Sequence, residues 1–246
     1  MEKPSKPPKE RDLKLGCKAL FNGRKEWVKV SSFPKQRKSD ATIQELSKPN
    51  IYICPQIQSM TLIKSISGVR GTIGGKKGEN LSPLDAVEFA AAYGNWLKRK
   101  NPNGAVKVVI GRDARPSGSM IQNLVQNTLV GCGIDVIDLD LSTTPTVEMA
   151  VVFEKAQGGI ILTASHNPVE WNALKLLNEK GEFISGADGQ ELMRMIDAED
   201  YDFVEVHSLG KTTRSEDAIE KHIDAILALP YINVEAIAKA DLKVAV

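Results

Sequence analysis

The chain has 246 residues, of which 42% are hydrophobic, 26% are charged and 5% are aromatic, and its formal net charge is +1. This composition is typical of a globular protein that can bury a core, and it excludes a wholly disordered chain. No stretch approaches 18 uninterrupted apolar residues, so the sequence predicts no membrane span and no membrane partner.

Residues 1–59 form a basic leader, with 13 Lys or Arg against 6 Asp or Glu, and with six of the twelve prolines. They show neither a strand period nor a helix period. Such a segment buries too little apolar surface to offset its ordering entropy, so we expect a disordered leader that folding does not require. A basic tail can bind nucleic acid, but clustered aromatic residues and an amphipathic face are missing, and we predict no nucleic-acid partner. The first twenty residues lack the apolar stretch of a secretory signal, which predicts a cytoplasmic protein.

The pattern becomes regular from residue 60 onward. Residues 61–75, "TLIKSISGVRGTIGG", predict a short strand that runs into a glycine-rich loop bearing Arg70. Ser82 and Pro83 then open a helix, "SPLDAVEFAAAYGNWLKRK". Its hydroxyl N-cap, its proline at the first helical position, its early acids and its late bases all favour this assignment.

Strands and helices alternate over the next segment. The apolar runs predict strands at residues 105–111, 134–141 and 159–164, and helices at 117–133 and 146–157. Strands joined by crossover helices form a largely parallel sheet with helices on both faces. The sequence therefore predicts an α/β fold: a three-layer α/β/α domain with a mostly parallel, mixed sheet.

The last third of the chain predicts a hairpin and two further helices. "ALKLLN" and "GEFIS" flank a turn, and helical patterns follow at residues 186–200 and 215–229. The chain closes on "DLKVAV", residues 241–246, which reads as a strand. We expect residues 60–239 to form one domain and residues 240–246 to be the first strand of a second, truncated one.

Three polar segments lie at the expected carboxyl ends of strands, where open α/β sheets bind ligands. They are "SGVRGTIGG" (67–75), "GRDARPSG" (111–118) and "TASHNP" (163–168). Glycine-rich backbone lets a phosphate approach closely, and the guanidinium groups of Arg70, Arg112 and Arg115 match phosphate oxygens in a planar, bidentate manner. The segments together indicate a site for a phosphorylated ligand.

The loop "TASHNP" allows two interpretations from its residues alone. It is a turn in which Asn167 caps neighbouring backbone and Pro168 fixes the exit, or it is a site that presents Ser165 for chemistry. A serine hydrolase is disfavoured because His166 adjoins Ser165 in the chain, and because the glycines of a nucleophile elbow are missing on both sides of the serine.

"TASHNP" followed by "WNALK", with "SGVRG" upstream and "GRDARPSG" between them, resembles the α-D-phosphohexomutase family. This family includes the phosphoglucomutases, phosphomannomutases and phosphoglucosamine mutases, and the resemblance extends over residues 60–246. It implies an isomerase that interconverts hexose 1- and 6-phosphates through a phosphoserine and a hexose bisphosphate intermediate. The short entry "MTLIKSISGVRG" favours the phosphoglucosamine or phosphomannose side of the family.

The resemblance also implies roles for individual residues. Ser165 would carry the phosphoryl group and bind Mg²⁺ through it, Lys175 would act as the general acid and base, and Arg70 would belong to the active-site loop. His166 lies beside the serine. Arg112, Asp113 and Arg115 would lie in the loop that supports the phosphoserine. The remaining residues implied at the substrate and phosphate loops are Gly68, Gly71, Asn167 and Asn172. The chain departs from many relatives at Ala173, where they have glycine.

The resemblance also implies parts that this sequence does not contain. The other Mg²⁺ ligands, the loop that reads the sugar and the domain that grips the second phosphate all belong to later domains of the family. We therefore expect a hexose monophosphate substrate and a bisphosphate activator for the family, and little activity from this chain alone. The alternative is a truncated, non-catalytic sugar-phosphate-binding domain. The oligomeric state is left open.

Overall fold

The computed structural model describes residues 17–21, 24–28, 60–65 and 68–244, in two units that cover Met1–Pro55 and Gln56–Val246. In the first unit, β1 (Cys17–Phe21) pairs antiparallel with β2 (Arg24–Val28). This hairpin departs from the predicted disordered leader. The dipeptide Asn22-Gly23 between the strands is a strong hairpin signal that the prediction overlooked. The rest of the predicted leader lies outside the described residues.

The second unit alternates strands and helices along the chain. Its elements are β3 (Ile63–Ser65), β4 (Gly68–Thr72), α1 (Pro83–Lys100), β5 (Lys107–Arg112), α2 (Gly118–Gly131), β6 (Asp135–Leu141), α3 (Thr144–Phe153), β7 (Gly158–Leu162), β8 (Trp171–Leu177), α4 (Gly186–Asp197), a 3-10 turn (Val206–Ser208), β9 (Thr212–Arg214), α5 (Ala218–Leu227) and α6 (Val234–Lys239). None of the helices in the described part of the chain is long and apolar enough to cross a membrane.

Seven strands form one mixed sheet in the order β3-β4-β8-β7-β5-β6-β9. The strands β7, β5, β6 and β9 are parallel, while β8 is antiparallel to both β7 and β4. Two antiparallel steps restore the direction, so β4 runs the same way as β7 and β5. The carboxyl ends of these three strands therefore meet at one edge of the sheet, and the predicted mixed α/β sheet is confirmed.

Side chains from both faces of the sheet are buried, which makes the domain three-layered. On one face, Val108 and Ile110 of β5 pack with residues of α1, α2 and α4. On the other face, Val109 of the same strand packs with Val147 and Val151 of α3. Because successive residues of a strand point to opposite faces, the run "VVI" can fill both layers at once. The predicted α/β/α layering is confirmed.

Helix α1 begins as the sequence predicts, with a capping box at its first turn. The Ser82 side chain accepts from the backbone N–H of Asp85, and the Asp85 carboxylate accepts from the Ser82 backbone N–H in return. Pro83 occupies the first helical turn, where a missing N–H costs nothing. The reciprocal bonds satisfy two donors that would otherwise be orphaned, and they fix where the helix starts.

Tyr93 of α1 ties the helix to the sheet through its buried hydroxyl. The hydroxyl donates to the carbonyl oxygen of Leu177 at 2.7 Å, and the carbonyl oxygen of Gly159 lies 3.2 Å away. Burial raises the pKa of this phenol well above its usual value, so it stays a donor. Tyr93→Phe should lower the free energy of unfolding by about 1–2 kcal/mol, because buried acceptors lose their partner. Urea denaturation measures this.

Tyr231→Phe is the matched control for this change, since Tyr231 is 76% exposed. The same substitution there removes a hydroxyl that is surrounded by solvent, and we expect the free energy of unfolding to stay within about 0.5 kcal/mol of the unmodified protein. Equal losses at the two tyrosines would contradict the account of Tyr93.

Three elements differ from the sequence prediction. "GVRGT", predicted as a loop, is strand β4, because its backbone pairs with β8 along its whole length. The second strand of the predicted hairpin, "GEFIS", is not formed as a strand; it contributes one antiparallel bridge between Leu177 and Phe183. Residues 240–244, predicted to begin a strand, are turn and irregular backbone, and residues 245–246 lie outside the described residues. The prediction of a second domain stays untested.

Helices α5 and α6 leave apolar side chains exposed. Ala218 is the buried residue of α5, whereas Ile219, Ile223 and Ile226 of the same helix are 41–48% exposed. Ile237 of α6 is 57% exposed.

Candidate functional site

The loop between β7 and β8 lies at the shared carboxyl edge of the sheet. Within it, Thr163 and Ala164 are buried, while Ser165 and His166 are exposed and Asn167 is half-buried. The buried residues anchor the loop directly after β7, and the exposed serine stands at its outer part. The predicted nucleophile thus occupies the position where open α/β sheets bind their ligands.

Ser165 has a left-handed backbone with φ of +56°. A residue other than glycine costs about 1–3 kcal/mol in this region, so the surrounding contacts must hold it there. Backbone turns on both sides contribute: Asn167 N–H donates to the Ala164 carbonyl at 3.1 Å, and Trp171 N–H donates to the Pro168 carbonyl at 3.0 Å. The serine is therefore presented by a shaped loop.

Asp113 joins this loop to the end of β5. Its backbone N–H donates to the Leu162 carbonyl at 3.1 Å, which extends the pairing with β7 one residue past the end of β5. Its carboxylate accepts from the Thr163 hydroxyl at 2.7 Å, and Thr163 in turn accepts from the Ser165 backbone N–H at 3.0 Å. Asp113 therefore acts on the loop through hydrogen bonds and not by facing a ligand.

Arg115 donates hydrogen bonds to the backbone carbonyl oxygens of the loop. A guanidinium has five N–H donors, and here Nε binds the Asp113 carboxylate at 3.0 Å while the two terminal nitrogens bind two carbonyl oxygens each. These oxygens belong to Ser165 (2.8 Å), Asn167 (2.8 Å), Pro168 (2.6 Å) and Trp171 (3.1 Å). Arg115 therefore supports the serine loop, the role that the resemblance implied, and it has no free donor for the phosphate contact that its residue type suggested.

Arg112 is also bound within the protein. Its Nη2 lies 2.5 Å from the carboxylate of Asp140 on β6, and Asp140 also accepts from Arg214 at 3.0 Å. The Arg112 side chain is 16% exposed. The direct phosphate contact that the residue type of Arg112 suggested is thus corrected too, because Nη2 of this largely buried guanidinium is bound to Asp140, which is distant in sequence. The pair fastens β5 to β6 beneath the site.

Asn172, which is fully buried, links the start of β8 to the loop after β5. Its Nδ2 donates to the Ser117 hydroxyl at 3.0 Å, and its Oδ1 accepts from the Ala173 backbone N–H at 2.8 Å. Across the sheet, Gly71 of β4 is its register partner. Both residues therefore shape the entry into β8 and are not exposed to a ligand.

A second group of predicted residues meets on β4 and β8. Gly68 is the register partner of Lys175, and Arg70 is the partner of Ala173, so Arg70 and Lys175 lie on the same face of the sheet. They line a groove of about 340 Å³ whose other walls include Ser65 and Phe183. Arg70 is exposed and Lys175 half-buried. Both cations are accessible on one surface.

Glu148 of α3 has a perturbed carboxyl group. Burial raises the pKa of Glu148, and the positive charge of Lys175 opposes that shift. Neither Glu148 nor the supporting residues Thr163 and Asp140 carried a prediction, because their roles depend on which strands become neighbours.

The predicted residues thus fall into four sets in the structure. Ser165, His166 and Asn167 lie in the loop that Asp113 and Arg115 hold. Gly68, Arg70 and Lys175 meet in the groove, Gly71 and Asn172 lie at the entry into β8, and Arg112 is bound to β6. The residues that line the groove do not include Ser165 or His166.

Comparison with known proteins adds independent information. Residues 62–203 match the family model described as phosphoglucomutase/phosphomannomutase, alpha/beta/alpha domain I. The chain is 35% identical to a phosphoglucomutase/phosphomannomutase of Thermococcus kodakarensis, over 70% of this chain and 36% of that protein. It is also 35% identical to a probable phosphoglucosamine mutase of Methanosphaera stadtmanae, over 70% of this chain and 37% of that protein. The chain thus spans about a third of the length of these curated relatives.

Solved structures show the same fold. A putative phosphomannomutase of Thermus thermophilus superposes with a TM-score of 0.60 at 24% identity, over 73% of this chain and 38% of that one. A phosphoglucomutase/phosphomannomutase family protein of Burkholderia thailandensis superposes with a TM-score of 0.56 at 22% identity, over 69% of this chain and 35% of that one.

Proposed function

Because this chain belongs to the phosphoglucomutase/phosphomannomutase family, we propose that it is the phosphoryl-carrying domain of a phosphohexomutase and that Ser165 is the carrier. The observation that carries this proposal is the Ser165 loop itself. An exposed serine in a strained backbone conformation is held by Arg115 through four carbonyl oxygens. A plain surface turn needs no such support.

The proposed chemistry moves one phosphoryl group between Ser165 and a sugar. A hydroxyl of a hexose monophosphate attacks the phosphorus of phosphoserine 165, the bond from phosphorus to the serine Oγ breaks, and a hexose bisphosphate forms. Lys175, as the proposed general base, takes up the hydroxyl proton. In the return step the other phosphoryl group of the bisphosphate moves to Ser165, and the proton returns to the sugar oxygen.

Such a transfer depends mostly on positioning and on stabilisation of charge. A phosphoserine carries about −1.5 to −2 charge near neutral pH. Arg115 and Arg112 are bound to protein acceptors, so we propose that Arg70 provides the protein's own share of the positive charge. Relatives with phosphoglucosamine and phosphomannose activities in their names support a hexose phosphate substrate.

The family resemblance implies Mg²⁺ at the phosphoserine. Among the residues that the structure describes, no group of three or more His, Cys, Asp or Glu side chains could hold a metal ion. Asp113, the carboxylate tied to the loop, already accepts from Arg115 and Thr163. Phosphoserine 165 would supply one ligand, and one ligand does not hold Mg²⁺ tightly, so the described residues do not form a complete site.

A second candidate function is favoured by the groove itself. Because the residues that line it include Arg70 and Lys175 but not Ser165, the chain would bind sugar phosphates there without turning them over. The cytoplasmic location stays a prediction.

The two functions differ in whether Ser165 takes up phosphate. We expect the purified chain, after incubation with a hexose 1,6-bisphosphate, to gain the mass of one phosphate that a phosphatase removes. Ser165→Ala should abolish the gain completely, because the carrier oxygen is gone. Ser119→Ala, at another exposed serine, should leave it unchanged. Binding of the bisphosphate without any phosphate on the unmodified protein would favour the non-catalytic domain.

A further inference from the structure

Thr163 is a buried hydroxyl residue next to the proposed carrier, and neither the family resemblance nor the chemistry above gives it a role. It is 8% exposed, so it does not face a substrate. Its hydroxyl nevertheless has two partners: the Asp113 carboxylate at 2.7 Å and the Ser165 backbone N–H at 3.0 Å. A buried hydroxyl with both partners on functional loops requires an explanation.

The directions of these two bonds follow from the groups involved. A backbone N–H can only donate, so the Thr163 oxygen accepts from Ser165. A carboxylate can only accept, so the one proton of the Thr163 hydroxyl goes to Asp113. The carboxylate is fixed in turn by the backbone N–H of Arg115 at 3.1 Å and by the Arg115 Nε at 3.0 Å. The hydroxyl therefore has a single orientation.

These hydrogen bonds link Asp113 to the Ser165 backbone, whose conformation determines where the serine side chain points. The Ser165 N–H and its carbonyl oxygen are both held, the first by Thr163 and the second by Arg115 at 2.8 Å. With both groups fixed, φ stays at +56°, and the side chain follows from the backbone. A charge-assisted bond to Asp113 makes the Thr163 hydroxyl a stronger anchor than a neutral pair would be.

We propose that Thr163 is a positioning residue for phosphoryl transfer, which orients Ser165 by transmitting the hold of Asp113 to the Ser165 amide. The proposal rests on the proposed function insofar as Ser165 carries phosphate. It also has a consequence for the phosphoserine: the Ser165 N–H is already used, so the phosphate receives no hydrogen bond from it. The loop is shaped before phosphate arrives.

The first test measures the hydrogen bond directly in the full chain. Thr163→Val keeps the shape and removes the hydroxyl, whereas Thr163→Ser keeps the hydroxyl. By NMR hydrogen exchange we expect the Ser165 amide to exchange about tenfold or more faster in the valine variant and within about threefold of the unmodified protein in the serine variant. Amides of Ile160 and Ile161 in β7 should be unchanged in both. Unaltered Ser165 exchange in Thr163→Val would overturn the proposal.

The second test measures phosphoryl transfer from a hexose 1,6-bisphosphate to Ser165. We expect the maximal rate of Thr163→Val to fall by about 100-fold, with the half-saturating bisphosphate concentration unchanged, and Thr163→Ser to recover most of the rate. A purely structural role would not separate the rate from the half-saturating concentration. A full rate in Thr163→Val would contradict the proposal.

A second pair of variants decides the matter if Thr163→Val does not fold. Thr163→Ser and Thr163→Ala differ by one oxygen, and the alanine variant should show the fast Ser165 exchange and the slow transfer, while equal behaviour of the pair would refute the role. If the unmodified protein accepts no phosphate, the proposed function fails. The exchange of the Ser165 amide still decides whether Thr163 orients the serine.

Discussion

Replacing Arg115 with lysine is expected to slow phosphoryl transfer to Ser165 by about 100-fold, although the charge is kept. The guanidinium binds Asp113 and four loop carbonyls with five donors. An ammonium has three donors at one point and cannot span those acceptors. The serine would lose its fixed direction, and a displacement of about 1 Å is enough for such a loss in rate.

The effect on stability should be smaller than the effect on rate. Ser165 and Pro168 are exposed, so their freed carbonyls can bind water. We expect the free energy of unfolding to fall by about 1–3 kcal/mol, as measured by urea denaturation next to the transfer rate.

Arg99→Lys is the matched control for this substitution. Arg99 also makes bonds through two nitrogens, at 2.9 and 2.7 Å to Asp200, but on an exposed surface. Ion pairs of this kind contribute about 0–1 kcal/mol, and we expect neither the transfer rate nor the stability to change much. A transfer rate that is the same in Arg115→Lys and Arg99→Lys would contradict the role given to Arg115.

Gly68→Ala should destabilise the domain by about 2–4 kcal/mol, the largest stability loss that we predict for a single methyl group. Gly68 has a φ of +137°, and a Cβ built there would lie 1.9 Å from the carbonyl oxygen of Leu174 on β8. That oxygen belongs to a buried strand of the sheet, so it cannot move aside. The β4–β8 pairing, which carries Arg70 and Lys175, would have to shift. Thermal and urea denaturation both measure this loss of stability.

Substitutions at two other glycines distinguish the effect of backbone strain from the effect of the steric contact with β8. Gly74 has a φ of +103° but open space around a built Cβ, and Gly104 has open space without a left-handed backbone. We expect Gly74→Ala to cost about 1 kcal/mol for backbone strain alone, and Gly104→Ala to be neutral or slightly stabilising. If Gly68→Ala costs no more than Gly74→Ala, the close approach to β8 is not what requires glycine.

The parts of the fold that depend on local patterns were predictable from sequence. Helix α1 begins at Ser82 and Pro83 as expected, because a capping box involves residues three apart. The alternation of β5, β6 and β7 with α2 and α3 likewise follows from apolar runs of different length. The prediction of a loop at "GVRGT" was wrong. Its glycines suggested a turn, but pairing with β8, about a hundred residues later in the chain, makes it a strand.

The candidate site was predictable in composition but not in geometry. The sequence indicated that Ser165, Asp113 and Arg115 share an edge of the sheet, since parallel strands end together there. It did not indicate that Arg112 pairs with Asp140, 28 residues later, or that the N–H donors of Arg115 bind carbonyl oxygens of the loop. An arginine can contact a ligand only if the folded protein leaves some of its donors without an acceptor, and this depends on contacts between residues that are distant in sequence.

The most direct test of a preformed phosphoryl-carrying loop is a label transfer. The full chain is incubated with a hexose 1,6-bisphosphate whose phosphoryl groups are labelled, and the peptide containing Ser165 is isolated before and after unlabelled hexose monophosphate is added. The account predicts label on Ser165 that then leaves as labelled hexose bisphosphate. An unlabelled Ser165 peptide, or equal label in Ser165→Ala, would contradict it.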